Sequence, residues 1–304
     1  GSLADAEYVG IAIAKRKLAL SVAQSYYRLY ANRAKQEVLL ENIQLLDTYH
    51  ELALNSLEVG SASAVDVLRL QIRQNDLKQQ RETLEQDFQA EKSLFNNLLN
   101  RSIDSAVDVT DSLAIPEEQL EVSTIAEVHP ELLKFDRLYE SVIAAEDLNQ
   151  QESLPKLGFG LDYISVLERP NMNFSDNGKD IVMPMLSVSV PIFNNRYRSV
   201  TKQNELRQKE IQAQRLDRLN KLQTMLETAL KNRVSATITA ETQISNISQA
   251  SDAEEILIKN YETGTIDFND VLDVQELQLK FQTGYIEAVK NYYAQSAIIN
   301  YLSN

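Results

Sequence analysis

The sequence predicts a mostly α-helical protein: long antiparallel coiled-coil hairpins in two repeats, with one β-hairpin between them. Three observations predict it. Residues Leu57–Gln71 (LEVGSASAVDVLRLQ) and Tyr261–Gln275 (YETGTIDFNDVLDVQ) lie 204 positions apart and share Glu58/Glu262, Gly60/Gly264, Asp66/Asp270, Val67/Val271, Leu68/Leu272 and Gln71/Gln275. Six matches in fifteen without a gap mark an internal duplication. Gly (8) and Pro (6) are scarce among 304 residues, and helix formers dominate the rest, which suits long helices. Finally, two stretches between 157 and 192 alternate with a period of two, the signature of strands.

The elements follow in order. From Ala4 to about Leu57 there is no Pro and only Gly10, giving a helical rod of roughly 80 Å at 1.5 Å per residue. Gly60 stops it in the position of a left-handed C-cap, and Ser61 and Ser63 are candidate N-caps for the next helix. That helix, about Ala64 to Asn100, carries Leu70, Leu77 and Leu84 seven apart, then Phe88 and Phe95, an apolar seam of coiled-coil type. A short break between long helices makes an antiparallel hairpin. Residues 101–123, with Pro116, read as a linker packed outside the rods. Residues 124–151 read as helical again, with His129-Pro130 near the start.

Leu157, Phe159, Leu161 and Tyr163 then alternate with Gly158, Gly160, Asp162 and Ile164. Leu186, Val188, Val190 and Ile192 alternate with Ser187, Ser189 and Pro191. Each stretch predicts a strand of about ten residues, the length of a tilted membrane strand. The polar Glu168–Asp180 between them reads as a loop. Arg198 to about Tyr261 contains no Pro or Gly and predicts a second rod of roughly 95 Å. After Gly264, a helix from Phe268 to Leu302 carries two heptad rows: Val271, Gln278, Tyr285, Tyr292, Ile299, and Val274, Phe281, Ala288, Gln295, Leu302. Their polar members suggest packing beside a solvated channel.

The net charge of -14 argues against a nucleic-acid partner, because phosphate contacts need Lys/Arg clusters. The absence of Cys excludes disulfides, thiol catalysis and zinc-thiolate sites. His50 and His129 lack ligand spacing and read as structural or surface residues, and Glu254-Glu255 reads as a solvated pair. No nucleophile elbow, phosphate loop, zinc motif or catalytic carboxylate pair is present, so no enzyme, no cofactor and no metal site is expected.

The layout resembles the TolC family of outer-membrane efflux and secretion channels. The resemblance is carried by the two tip motifs, by His129-Pro-Glu-Leu132, and by Pro184–Phe193 (PMLSVSVPIF) leading into a long helix. It spans nearly the whole chain. It implies a TolC-like helical barrel whose β-hairpin contributes to a membrane β-barrel, and a division into residues 3–123 (first hairpin repeat and linker), 124–152 (connecting helix), 153–195 (β-hairpin) and 196–304 (second repeat). It further implies a homotrimer in the Gram-negative outer membrane, extending into the periplasm. The partners would be a periplasmic adaptor protein, an inner-membrane pump and outer-membrane lipid. The chain shows one strand pair where the family has two, so a further pair is expected before residue 1.

The resemblance places Asp66, Asp270 and Asp273 at a periplasmic gate, where three copies would set carboxylates around one axis. The other reading of these acids is ordinary helix-start residues favoured by the helix dipole. Gly60, Ser61, Gly264 and Thr265 would face the adaptor, or simply cap helices. Leu157, Phe159, Leu161, Leu186, Val188 and Val190 would face lipid, or pack a soluble hairpin on helices. The function implied is a passive export duct of a tripartite efflux pump or type I secretion system. The alternative is a soluble coiled-coil scaffold or adaptor that docks partners through its helical hairpins. No Met or His cluster singles out a metal as the exported substrate.

Overall fold

The computed structural model describes residues 2–58, 63–116, 129–171, 175–192, 195–263, 265–266 and 268–303. Among them the elements are, in order, α1 (Ser2–Glu58), α2 (Ala64–Leu98), α3 (Pro130–Glu152), β1 (Lys156–Ile164), β2 (Ile181–Ser189), α4 (Asn195–Glu262) and α5 (Phe268–Ser303). The chain divides into two compact units, one of residues 1–10 and 130–218, the other of residues 11–129 and 219–304.

The larger unit is built from α1, α2, α5 and the C-terminal part of α4. The seam expected on α2 is its buried face: Leu70 and Leu77 are fully enclosed, and Leu84 packs against the same core. On α5, Val271, Tyr292, Ile299, Ala288 and Leu302 from the two heptad rows are buried, but so are Gln275, Leu279, Ile286 and Val289 from neither row. A straight helix drifts about 20° per heptad against a strict seven-residue repeat, so over 36 residues the buried stripe crosses several rows. Near the α4–α5 turn the core is aromatic. The ring of Phe268 lies edge-on to Tyr261 at 4.8 Å and to Tyr49 of α1 at 5.8 Å.

Helix α2 ends where Asn100 takes a left-handed conformation (φ 53°), a usual stop for a helix. The buried Asn96 carboxamide donates to the carbonyls of Ile103 and Ser105 at 3.0 and 2.9 Å and turns the chain back. Residues 101–116 then run along the helices. Val109 is buried with Leu29, Phe95 and Val289, and the hydroxyls of Tyr26 and Tyr30 accept from the Thr110 and Leu113 amides. His129 is also buried here. Its Nε2 lies 3.3 Å from the Tyr301 carbonyl and its ring meets Tyr301 edge-on.

The smaller unit holds α3, the start of α4 and the hairpin. Pro130 opens α3, where a missing N–H costs no hydrogen bond. Ion pairs tie α3 to α4: Asp136 with Arg215 at 2.6 Å, and the buried Glu131 with Arg218. At the far end of α3, Asn149 donates to the Tyr197 carbonyl (3.1 Å) and the Thr201 hydroxyl (3.2 Å). Glu146 accepts from Thr201 and Asn204, each at 2.8 Å. This polar clamp joins the two helices that lead into and out of the hairpin.

Candidate functional site

β1 and β2 pair antiparallel from Lys156↔Ser189 to Ile164↔Ile181. Directly opposed residues share a face. One face therefore carries Leu157, Phe159, Leu161 and Tyr163 opposite Val188, Leu186, Pro184 and Val182. Its large side chains are all open to solvent, from Val182 at 54% to Phe159 at 83%. The other face carries Lys156, Gly158, Gly160, Asp162 and Ile164 opposite Ser189, Ser187, Met185, Met183 and Ile181. A contiguous apolar face is rare on a free surface, and an isolated two-stranded hairpin is at best marginal in water. Each strand has nine residues, enough to cross a hydrocarbon core as a tilted strand of about 9–11 residues.

The second strand differs from its sequence-based span. It begins at Ile181 and ends at Ser189, so Val190 and Ile192 lie beyond it. Pro191 explains the stop, since it has no N–H to continue a ladder and restricts the residue before it. The connecting segment is 165–180, three residues longer than expected on its β1 side. The Asn177 side chain accepts from the Arg169 amide at 2.8 Å and donates to the Arg169 carbonyl at 2.9 Å.

At the helix turns the repeat is legible but its two copies differ. Ser63 caps α2: its hydroxyl accepts from the Val65 amide, and its own amide donates to Asp66. Asp66 is 8% exposed, its carboxylate held in this capping box. The repeat-equivalent Asp270 is exposed, as is Asp273, and the position matching Asp273 in the first copy is Arg69. Arg69 donates to the Asn269 side chain, so the starts of α2 and α5 touch. Asp270, Asp273 and Leu277 follow at i, i+3 and i+7 and form one exposed face. Thr265 donates through its amide and its hydroxyl to the Asn260 carbonyl, at 3.0 and 2.8 Å. Gly60, Ser61 and Gly264 lie outside the described residues.

Two features near this end escape sequence reading. Asn42 of α1 donates to Gln282 (3.0 Å) and accepts from Gln275 (2.7 Å), both on α5. The seven-residue spacing of Gln275 and Gln282 is a signal that could mark them as one row. Glu254 is not simply solvated as expected; it accepts from the Tyr49 hydroxyl at 2.5 Å.

Among the described residues, no helix is long and apolar enough to cross a membrane, and no three His, Asp or Glu side chains gather as metal ligands. No protein-family model and no curated protein sequence matches the chain. Solved structures do. The outer membrane protein VceC of Vibrio cholerae superposes with a TM-score of 0.82 at 16% identity, covering 100% of this chain and 73% of that one. A membrane protein from Pseudomonas aeruginosa gives 0.82 at 15% identity, covering 100% and 71%. The open-state outer membrane channel MtrE of Neisseria gonorrhoeae gives 0.78 at 13% identity, covering 99% and 69%. At this identity the likeness establishes architecture: the chain has the fold of the TolC-type outer-membrane channels.

Proposed function

We propose that this chain belongs to the outer-membrane channel of a tripartite efflux pump or type I secretion system: a passive duct, with no catalytic step, through the outer membrane and periplasm of a Gram-negative cell. The observation that carries the reading is the eight-residue apolar face of the β1–β2 hairpin, open to solvent in the single chain. Lipid is the environment that suits it, with the opposite, more mixed face of Gly, Ser, Asp, Met and Ile toward a lumen. Leu157, Phe159, Leu161, Leu186 and Val188 are the lipid contacts, and Val190 continues their alternation past the strand.

The other parts follow from the same reading. Three copies of the intact protein close one barrel and one helical tube. Asp270 and Asp273, exposed on α5, ring the periplasmic entrance and attract cations. Asp66 stands at the same end with its carboxylate tied to the α2 cap. The turns at Gly60, Ser61, Gly264 and Thr265 meet the periplasmic adaptor, which links the duct to the inner-membrane pump.

The test replaces Leu186 by Asp in the intact protein, with Ser187→Asp on the opposite face as its match. Leu186→Asp is expected to abolish recovery in the outer-membrane fraction and single-channel conductance, while Ser187→Asp retains both. A Leu186→Asp protein that still fractionates with the outer membrane and conducts removes the lipid-facing assignment and leaves the soluble scaffold. For the entrance, Asp270→Ala with Asp273→Ala should raise conductance and relieve divalent-cation block. Unchanged values would remove the ring.

A further inference from the structure

We propose that Met183 and Met185 form a thioether site for a soft monovalent metal ion, Cu(I) or Ag(I). The chain has 4 methionines, and Met183 and Met185 both lie on β2. Linear spacing alone does not mark a cluster; the strand register does. Met183 and Met185 alternate along β2 and so share a face, about 7 Å apart along the strand. They stand opposite Asp162 and Gly160 respectively.

Gly160 makes room for one of them. The Met185 methyl lies 3.3 Å from where a Cβ at residue 160 would stand, so the side chain lies across the β1 backbone. Methionine ordinarily fills irregular gaps in cores, but no core surrounds these two. They are 42% and 50% exposed, and the longer apolar row of β2, Val182, Pro184, Leu186 and Val188, is on the opposite face. To a face that carries Gly158, Gly160, Ser187 and Asp162, with Ile164 opposite Ile181 at its end, the two methionines add a pair of neutral, polarisable sulfur donors. Thioethers select soft ions such as Cu(I) over hard ones, and the Asp162 carboxylate across from Met183 offsets the ion's charge. A hard cation such as Mg²⁺ finds one carboxylate here, too few oxygens to displace its water. Binding is coordination alone, with no bond broken and no electron transferred. The setting rests on the channel reading: with the apolar face in lipid, the pair lines the duct, and three copies bring three pairs around one axis.

The experiment uses the intact protein in detergent, labelled with ¹³C at the methionine methyls and titrated with Ag(I) alone. The Met183 and Met185 methyls should shift together while that of Met225, on α4, stays in place. Calorimetry should show Ag(I) affinity falling in Met183→Leu and Met185→Leu by more than the roughly tenfold typical for loss of an outer-shell partner, and binding vanishing in the double variant. Leucine keeps volume and apolarity, so the fold is retained. Unmoved methyls, unchanged Ag(I) binding in the double variant, or equal competition by Mg²⁺ would overturn the site. Outer-membrane fractionation of the wild-type protein reports the channel reading separately. A protein that binds Ag(I) through both methyls without inserting keeps the site and loses the duct.

Discussion

The Ser63 amide donates to the Asp66 carboxylate at 3.1 Å while the Ser63 hydroxyl accepts from the Val65 amide at the same distance. This reciprocal pair separates the two copies of the repeat. Asp66 is spent on starting α2, whereas Asp270 points its carboxylate at solvent. Asp66→Ala should therefore lower stability by about 1 kcal/mol, the size of the one hydrogen bond lost from the Ser63 amide. Asp270→Ala should cost only the few tenths that a first-turn acid gains from the helix dipole. Urea unfolding of both variants checks this, and equal losses would contradict the assignment.

The long helices and the hairpin were legible in the sequence because each depends on local period: 3.6 for the rods, two for the strands. The turn at Ser63 was legible for the same reason, as a cap needs only residues three apart. The partners across helices were not. Nothing in the neighbourhood of Tyr49 announces Glu254, 205 positions later, and the Asn42–Gln275 bond needs the α1–α5 register before it can be drawn. The divergence of Asp66 from Asp270 was hidden by their identity: two copies of one motif carry the same letters on helices that turn different faces outward. The stop of β2 at Ser189 had a visible cause in Pro191, but the alternation of apolar residues runs through it and outweighs it on paper.

The Tyr49–Glu254 bond links α1 to α4 beside the Phe268 ring. Burial, and then the bond to Glu254, push the Tyr49 hydroxyl well above the ordinary tyrosine value. A group whose pKa is raised on folding contributes stability that is complete below its unfolded pKa, about 10, and is lost as pH rises through the folded value. Tyr49→Phe should thus cost about 1 kcal/mol at neutral pH, the size of one net hydrogen bond, and the difference from wild type should shrink in alkali. Thermal melts at pH 7 and above pH 10 measure it. A gap that stays constant with pH would show that the phenolate is tolerated in place.

Glu146 behaves in the opposite sense. Hydrogen bonds from Asn204, then Thr201, hold its carboxyl below the usual carboxylate range. The clamp's contribution is present above the unfolded pKa and is lost as pH falls through the lower, folded value. Acid should loosen the junction of α3 with α4, and Glu146→Gln should remove that acid dependence by presenting an amide group to donors. Hydrogen exchange at the start of α4, followed between about pH 5 and pH 3 where native carboxylates titrate, tests it. Wild type and variant with the same acid profile would leave Glu146 outside the clamp.

The hairpin's connecting segment is closed by Asn177, which binds both the amide and the carbonyl of Arg169. The next residue, Gly178, has φ +82° and a Cβ there would stand 3.3 Å from the Glu168 backbone, so a side chain at 178 is strained on two counts. Two hydrogen bonds at about 1 kcal/mol each correspond to roughly a thirtyfold change in local opening. Asn177→Ala should accelerate hydrogen exchange of the Arg169 amide by about that factor, while the Val166 amide, held separately by Asp180 at 3.0 Å, keeps its rate. Asn177→Asp should fall between, because a carboxylate still accepts from the Arg169 amide but repels its carbonyl. If Val166 and Arg169 accelerate together, the segment opens as one unit and Asn177 is not an independent latch.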